Sequence, residues 1–352
     1  NSFVIRAEDL ALLDKLSPVI GGKKEVIPPP TLCPECRMRR RMAYRNERAL
    51  YHRKCDLTGK QIISQYSVDK PFKIYEIGAW HTDQWDALSY GCAFDRSRPF
   101  SDQFQELRTK VPRMSLVREG TNVNSDYCNR ASNVKDCYLI FSSNRDESCY
   151  YSINTNDSRD CCDCYNIQRS ELMYQCVDCY DSYNCRYSEG CRNCSDSAFL
   201  KHCNNCRNCL FCTNLVGKEY CIFNKQYTKE AYEAEIQKTA LGRASTITLL
   251  SKKFLPLTRG MIVKFFMGMN NENSSGNCIV NCKNTHDSFD CLEVEDGAYL
   301  QSIVGAKDCM DYSYWGVGTE LIYETHACGL QCQRILFCNE CWVGNSDIIY
   351  CD

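Results

Sequence analysis

The cysteines between Cys128 and Cys221 recur at multiples of three residues. Sixteen cysteines lie in this stretch, and fifteen of them fall in one residue class modulo three, with Cys162 as the exception. An α-helix cannot keep such a row on one face, because three residues turn about 300° and the row drifts around the helix. A collagen-like helix would need Gly where this row has Cys and Ser. The row therefore excludes both helices and points to another three-residue unit.

A second spacing, of twelve residues, connects members of the same row. It is shown by Cys137, Cys149 and Cys161 and by Cys179, Cys191 and Cys203. Twelve residues make one turn of a stacked β-solenoid with four inward positions. So tight a turn has room for small side chains, and only Asp146 and Lys218 break the run of small or apolar residues. We predict a mainly β fold, in which residues 125–221 form a cysteine-cored β-solenoid of twelve-residue turns.

A second, less regular row predicts another solenoid segment with bulged turns over residues 276–352. It keeps one phase from Ile279 to Cys309, then slips, and resumes in another phase from Cys332 to Cys341. Between the two rows we predict a helical insertion at 222–275. Its helix should run over 229–241 with Thr228 as N-cap, because Thr is a preferred capping residue.

The N-terminal part differs in kind from the repeats. A short helix is predicted at 8–16, followed by three prolines that interrupt regular structure. We expect residues 1–60 to form a small helical head with a zinc knuckle, and residues 61–124 to form a linker or cap.

The head contains a metal-ligand pattern. Cys33-Pro34-Glu35-Cys36 is a Cys-Pro-x-Cys turn, which directs two thiolates at one tetrahedral ion. Cys55 is the predicted third ligand, and His52 or His81 the fourth. This pattern predicts zinc as the cofactor, and the alternative is a pair of free thiols in a packed turn.

The head is also strongly basic, through arginines and Lys54 between residues 37 and 54. This charge suggests contact with a nucleic-acid backbone or the ribosome. The alternative is that the arginines pair with acidic residues elsewhere or lie along a solvated helix. The candidate contacts are Arg37, Arg39, Arg40, Arg41 and Arg45.

Four segments resemble a known group of sequences. They are residues 30–37 (PTLCPECR), 45–48 (RNER), 53–60 (RKCDLTGK) and 220–230 (YCIFNKQYTKE). In these the chain resembles uncharacterised cysteine-rich, zinc-ribbon-headed proteins predicted from candidate-phyla, ultra-small bacteria, and the likeness extends over nearly the whole chain. The resemblance implies a further Cys-x-x-Cys before Asn1, completing a four-cysteine ribbon with Cys33 and Cys36, and further sequence after Asp352. It implies no activity.

The twelve-residue spacing also resembles that of the beetle antifreeze solenoids, whose inward row has Cys, Ser and Ala at every third position. Those proteins bind ice through outward Thr-x-Thr rows. Residues 125–221 contain no Thr-x-Thr, so the resemblance implies the spacing and not the function.

These features favour a structural or interaction protein over an enzyme. Five scattered histidines, with no phosphate-binding loop or nucleophile motif, give no catalytic constellation. Every Cys-x-x-Cys is followed by a residue other than His, which excludes covalent haem attachment. We expect a rigid scaffold that binds a protein partner or self-associates through solenoid ends, one of them at residues 348–352. Nucleic-acid binding is the alternative.

A third hypothesis is metal storage or iron–sulfur electron transfer. Four cysteines would occupy the inward corners of one turn and could hold a metal or form disulfides, although their equal spacing differs from the ferredoxin pattern. They are Cys203, Cys206, Cys209 and Cys212.

The composition limits which partners and which cellular compartment can be predicted for the chain. The net charge of -2 gives no global attraction to polyanions, so such a partner would need a local patch. No stretch is apolar and long enough to span a bilayer, and we expect no membrane partner. With 29 cysteines in a chain of this length, a reducing, cytoplasmic location is predicted.

Overall fold

The computed structural model is made mainly of strands, which account for 29% of it, with 20% in helices. The chain divides into two compact units, Asn1–Arg45 with Val263–Asp352 and Asn46–Ile262. The boundary after Arg45 lies inside the predicted head of residues 1–60. The structure describes residues 3–43, 45–239, 241–295, 297, 300, 306–307, 316, 318–320, 322–338, 340 and 344–349.

The first 45 residues contain two helices. Leu13 and Leu16, on one side of the first helix, are buried against Tyr323 and Leu336. Pro34 opens the second helix at its first position, where a missing backbone N–H costs nothing. The helix predicted at 8–16 is confirmed. The elements are α1 (Ala7–Leu16), β1 (Val19–Ile20), β2 (Lys23–Lys24) and α2 (Pro34–Met42).

The second unit begins with short elements before the regular repeat. The first two strands pair antiparallel, and the next two pair in parallel. A short 3-10 helix at Ala87–Tyr90 lies between the two helices. The elements are β3 (Tyr51–Lys54), β4 (Gln61–Ser64), β5 (Ile74–Tyr75), α3 (Ile77–Trp80), α4 (Phe100–Lys110) and β6 (Arg113–Met114).

Eleven further strands follow in two sheets, one of six strands and one of five. The first of them pairs with the second thirteen residues apart, and from the second to the tenth the paired residues lie twelve apart and run parallel: Ile153 pairs with Tyr165, and Tyr165 with Val177. The strands are β7 (Arg118–Glu119), β8 (Asn129–Ser132), β9 (Phe141–Asn144), β10 (Ile153–Asn156), β11 (Tyr165–Gln168), β12 (Val177–Tyr180), β13 (Tyr183–Arg186), β14 (Ser195–Lys201), β15 (Arg207–Thr213), β16 (Glu219–Ile222) and β17 (Lys225–Gln226).

The predicted inward row is the interior of this unit. Every member from Ser125 to Cys212 is at most 5% exposed. Asp146 is buried with the others, whereas Lys218, near the end of the row, is exposed. The burial of the row is therefore confirmed, and the parallel register of twelve agrees with its second spacing.

One residue of each triplet adopts a left-handed backbone. From Arg130 to Phe223 these residues, just before each inward position, have φ near +50°, and they include Asn154, Asp157 and Asp160. Asn and Asp tolerate this conformation better than most residues. Because of this left-handed conformation the chain bends once in every triplet, and the residue that follows each bend lies in the interior.

The insertion contains two helices, α5 (Lys229–Lys238) and α6 (Ala244–Gly260). The helix predicted at 229–241 is confirmed as α5, which ends three residues earlier, and the Thr228 side chain accepts a hydrogen bond from the Ala231 N–H. Helix α6 was not predicted. It carries Pro256 within it and has no side-chain N-cap, so the usual start signal is missing.

Residues 263–352 contain the second row. Gly268 pairs with Ile279, eleven residues away, whereas Gly276 pairs with Ser288, twelve away. A Cβ at Gly276 would lie 1.7 Å from the Ser288 carbonyl oxygen, so this close approach requires glycine. Cys309, Cys341 and residues 350–352 lie outside the described residues. The strands are β18 (Gly268–Met269), β19 (Gly276–Val280), β20 (Ser288–Leu292), β21 (Val294–Glu295) and β22 (Ala306–Lys307).

Candidate functional site

The inward cysteines and serines are hydrogen-bonded as well as small. The Cys137 thiol lies 3.2 Å from the Lys135 carbonyl oxygen and 3.6 Å from that of Asp146. The Ser152 hydroxyl donates to the Tyr150 carbonyl at 2.8 Å and accepts the Cys164 N–H at 3.0 Å. Each side chain thus satisfies backbone groups that the repeated bends leave in the interior. This role explains why the row alternates between Cys and Ser rather than being uniformly apolar.

Burial raises the pKa of several of these thiols, whereas hydrogen bonds with Cys176 and Cys191 lower the pKa of Cys179 to about 5. Burial raises the pKa of Cys128 to about 11 and raises that of Cys185 further. A thiol that stays protonated is a weak nucleophile and a weak metal ligand. The cysteines from Cys128 to Cys221 are free thiols. The interior is therefore chemically quiet along most of its length.

The four cysteines predicted as one cluster are close together and buried. Thiol hydrogen bonds from Cys194, Cys203 and Cys209 lower the pKa of Cys206, and hydrogen bonds with Cys206 and Cys212 raise the pKa of Cys209. Metal or disulfide chemistry at Cys203, Cys206, Cys209 and Cys212 stays a prediction.

The Cys-Pro-x-Cys pair lies at the start of α2. Cys33 is the N-cap residue and is half-buried, and Cys36 is exposed in the first turn. The backbone N–H and thiol of Cys36 lower the pKa of Cys33, and the hydrogen bond with Cys33 raises that of Cys36. One thiol is thus prepared to ionise before the other. This arrangement suits either half of a zinc knuckle or a reactive dithiol.

The other two predicted ligands belong to the other compact unit. Cys55 is buried, and its sulfur accepts backbone N–H groups from Thr58 at 3.4 Å and Glu76 at 3.2 Å. His52 is exposed on β3 and packs edge-on against Tyr127. No group of three or more His, Cys, Asp or Glu among the described residues is arranged to hold a metal ion. Zinc stays a prediction, with Cys33 and Cys36 as its best-placed ligands.

Most head arginines have internal partners. Arg37 and Arg41 are 3% and 6% exposed, and Arg37 donates to the Leu32 carbonyl. Arg40 forms an ion pair with Glu324, and Arg45 is half-buried. Arg39 is exposed. The positive charge of this segment is thus used largely within its own unit, as the alternative interpretation expected.

Charged residues twelve apart form two outward columns on the regular repeat. Arg145 binds Asp157 with two hydrogen bonds, and Arg169 binds Asp181 in the same way. The second column pairs Lys135 with Glu147 at 2.6 Å and Arg159 with Glu171 at 2.7 Å. Between the columns lies a shallow groove of about 450 Å³. Opposite charges at twelve-residue spacing are the signal in the sequence that predicts these columns.

An aromatic column covers another side of the last turns. Tyr187, Phe199, Phe211 and Phe223 are stacked with centroids 4.7 to 4.9 Å apart. Phe254 of α6 contacts Phe199 and Phe211. The twelve-residue spacing of these rings also signalled a packed face, and α6 is the element that covers it.

Comparison with protein-family models gives no match to this chain, and comparison with curated proteins gives no significant match. No helix among the described residues is long and apolar enough to cross a membrane. The function is therefore inferred from the contacts and burial of the described residues.

Proposed function

We propose that residues 125–221 form one β-solenoid of twelve-residue turns and that the chain acts as a structural or interaction scaffold. The observation that carries this proposal is the parallel register of twelve from β8 to β16, with the buried row inside it. Solenoids act mostly by presenting an extended surface, since each repeat contacts only its neighbours.

The contacts between turns support a rigid scaffold. Each turn bonds to the next through backbone ladders, inward hydroxyls and outward charged pairs, all at the same twelve-residue step. Because three independent sets of bonds join each turn to the next, we expect successive turns to move little relative to one another. The raised pKa of most interior thiols and the pairing of the groove charges argue against a catalytic role.

The end of the regular repeat favours a partner at its sides rather than at this end. The free edge of β16 is taken by the antiparallel β17. Tyr232 of α5 is 7% exposed and packs against Tyr220, and burial raises the pKa of its hydroxyl. An edge covered in this way cannot accept another chain. Self-association through residues 348–352 stays a prediction, and residues 350–352 lie outside the described residues.

Nucleic-acid binding by the head is the less favoured function. Arg37 and Arg41 are buried, and Arg40 is paired. Of the five candidate arginines, a phosphate backbone would then meet mainly Arg39, and one cation provides little of the counterion release on which such binding depends.

Two internal deletions test the solenoid and its register. Removing residues 157–180 takes out two whole turns and places Asp181 beside Arg145 and Ser182 in the inward row. We expect this variant to keep its strand circular dichroism and a cooperative thermal transition.

Removing residues 159–180 is the matched control, because it shifts the row by two positions and turns outward residues inward. We expect it to lose the transition. Equal behaviour of the two deletions would refute a twelve-residue solenoid and the scaffold that depends on it.

A further inference from the structure

The insertion carries cations that no acidic residue accompanies. Between Thr239 and Ile262 the chain has four basic residues and no Asp or Glu. All four are exposed, and none forms an ion pair with any residue that the structure describes. They are Arg243, Lys252, Lys253 and Arg259. The outward columns of the same unit pair their cations instead, so this patch is a distinct feature of its charge.

The packing of α6 fixes the side on which these cations lie. Its inner side, formed by Ile247, Leu250, Phe254 and Leu257, packs on the aromatic column. At 3.6 residues per turn, Lys252 and Arg259 are two turns apart on the opposite side, about 10 Å from each other along the helix. The free side of α6 therefore presents positive charge directly to solvent.

Aliphatic side chains flank this charge. Leu249 is 55% exposed, Leu255 is 45% exposed and Ile262, just after the helix, is 85% exposed. They lie beside the line of cations rather than within the buried contact. A surface of unpaired cations with aliphatic neighbours is typical of helices that lie at a membrane interface.

We propose that the outer side of α6 docks peripherally on an anionic phospholipid bilayer. The cations would meet the phosphate and carboxylate headgroups, while the three aliphatic side chains would enter the boundary of the acyl region. A second copy of the same surface is excluded as the partner, because its like charges would repel. A nucleic-acid backbone would satisfy the cations but would leave the aliphatic side chains exposed.

This contact needs no membrane-spanning helix, and it differs from the expectation that the chain has no membrane partner. It also goes beyond the scaffold proposed above, because it assigns one side of that scaffold to a surface. The overall charge of -2 gives no general attraction to such a surface, so binding should depend on this patch alone.

Flotation of the full chain with vesicles tests the proposal. Vesicles of phosphatidylcholine alone are compared with vesicles that contain about a third phosphatidylglycerol. We expect the chain to prefer the anionic vesicles at least tenfold, and the preference to fall with added salt. The variant Lys252→Ser, Lys253→Ser, Arg259→Ser should lose roughly fivefold per cation, about 100-fold in all.

Two further variants separate the patch from general charge. Lys135→Ser, Arg145→Ser, Arg159→Ser removes the same charge from the outward columns and should bind as the unchanged chain does. Leu249→Ser with Leu255→Ser should lower binding severalfold at high salt, where the aliphatic part dominates.

Equal losses in the two triple variants, or equal binding to both kinds of vesicle, would overturn the proposal. An RNA gel shift that requires Lys252, Lys253 and Arg259, without vesicle binding, would assign the patch to nucleic acid instead.

Discussion

The two cysteine rows share a three-residue spacing, but the number of residues between paired strands varies more in the second row than in the first. In the first, the parallel pairs from β8 to β16 are twelve residues apart, after an initial pair of β7 with β8 at thirteen. In the second, Gly268 and Ile279 are eleven apart, Val294 and Ala306 are twelve apart, and the bridge between Glu324 and Phe337 spans thirteen. Most described inward residues of both rows are buried, with Lys218 and Cys338 among the exceptions. The three-residue spacing therefore determines which residues are buried, while the number of residues between paired strands can vary.

The side chains follow the local register in each row. Arg145 reaches Asp157 across twelve residues, and Asn270 reaches Asn281 across eleven. The first row also has a charge inside, at Asp146, whereas the described inward positions of the second include the neutral Thr285 and Ser288. The constant spacing of the first row thus allows charged side chains to pair in long outward columns. In the second row, the outward pair of Asn270 and Asn281 is formed by neutral amides.

The largest effect is expected at Asp146. Burial raises the pKa of this carboxyl to about 7 from an ordinary 3.8, although it accepts hydrogen bonds from Thr155 at 2.6 Å and from the Ser158 N–H at 2.9 Å. Between these pH values the folded chain keeps a proton that the unfolded chain has lost. Stability therefore falls as pH rises from about 4 to about 7, and the loss is complete above that.

Asp146→Asn should remove this penalty and stabilise the first row by roughly 4 kcal/mol at pH 8, with little effect below pH 4. Urea unfolding at both pH values measures it. Asp157→Asn is the control of opposite sign, because Arg145 lowers the pKa of that carboxyl. A variant no more stable than the unchanged chain at pH 8 would show that Asp146 is not a buried charge.

A matched pair of overpacking substitutions compares the room inside the rows. Cys191→Leu should cost about 1–3 kcal/mol, because Cys191 is 0% exposed in a turn of fixed length. Cys282→Leu should cost less, since the second row already holds Ile279 and Leu300 and varies its turn length. Thermal unfolding of both variants tests this.

The outward control for these substitutions is Arg192→Leu, which should be nearly neutral. The neighbouring Asn193 has φ near +49°, where Leu would be strained, so it is unsuitable as a control. A larger cost at Cys282 than at Cys191 would reverse the conclusion about the two rows.

The sequence predicts the rows well because burial and spacing depend on the same three-residue step. The helix α5 is also predictable, since Thr228 signals its start. The left-handed residues could also be predicted, because many Asn and Asp recur at the position just before each inward residue. The burial of Arg37 and the cover of Phe211 by α6 depend on tertiary packing, and no local pattern contains that information.

Serine hydroxyls should contribute comparably in both rows. Ser152→Ala leaves the Tyr150 carbonyl and the Cys164 N–H without this partner, and Ser288→Ala does the same for the His286 carbonyl and the Leu300 N–H. Each should cost about 1 kcal/mol. Hydrogen exchange at Cys164 and Leu300 measures the effect locally. Faster exchange in only one row would mean that the other satisfies its backbone by another route.

The smallest effect is expected in the charged columns. Arg145 and Asp157 are both partly exposed, with side chains 57% and 37% accessible, and water and salt screen such pairs. Arg145→Ala should therefore cost less than about 1 kcal/mol, and 0.5 M NaCl should abolish most of that cost. Asn270→Ala, in the neutral column of the second row, should show no salt dependence, because its hydrogen bond to Asn281 carries no net charge. Urea unfolding of both variants at low and high salt separates the two cases. If the cost of Arg145→Ala were unchanged by salt, packing of the arginine side chain along the column, rather than its charge, would be what supports the regular register.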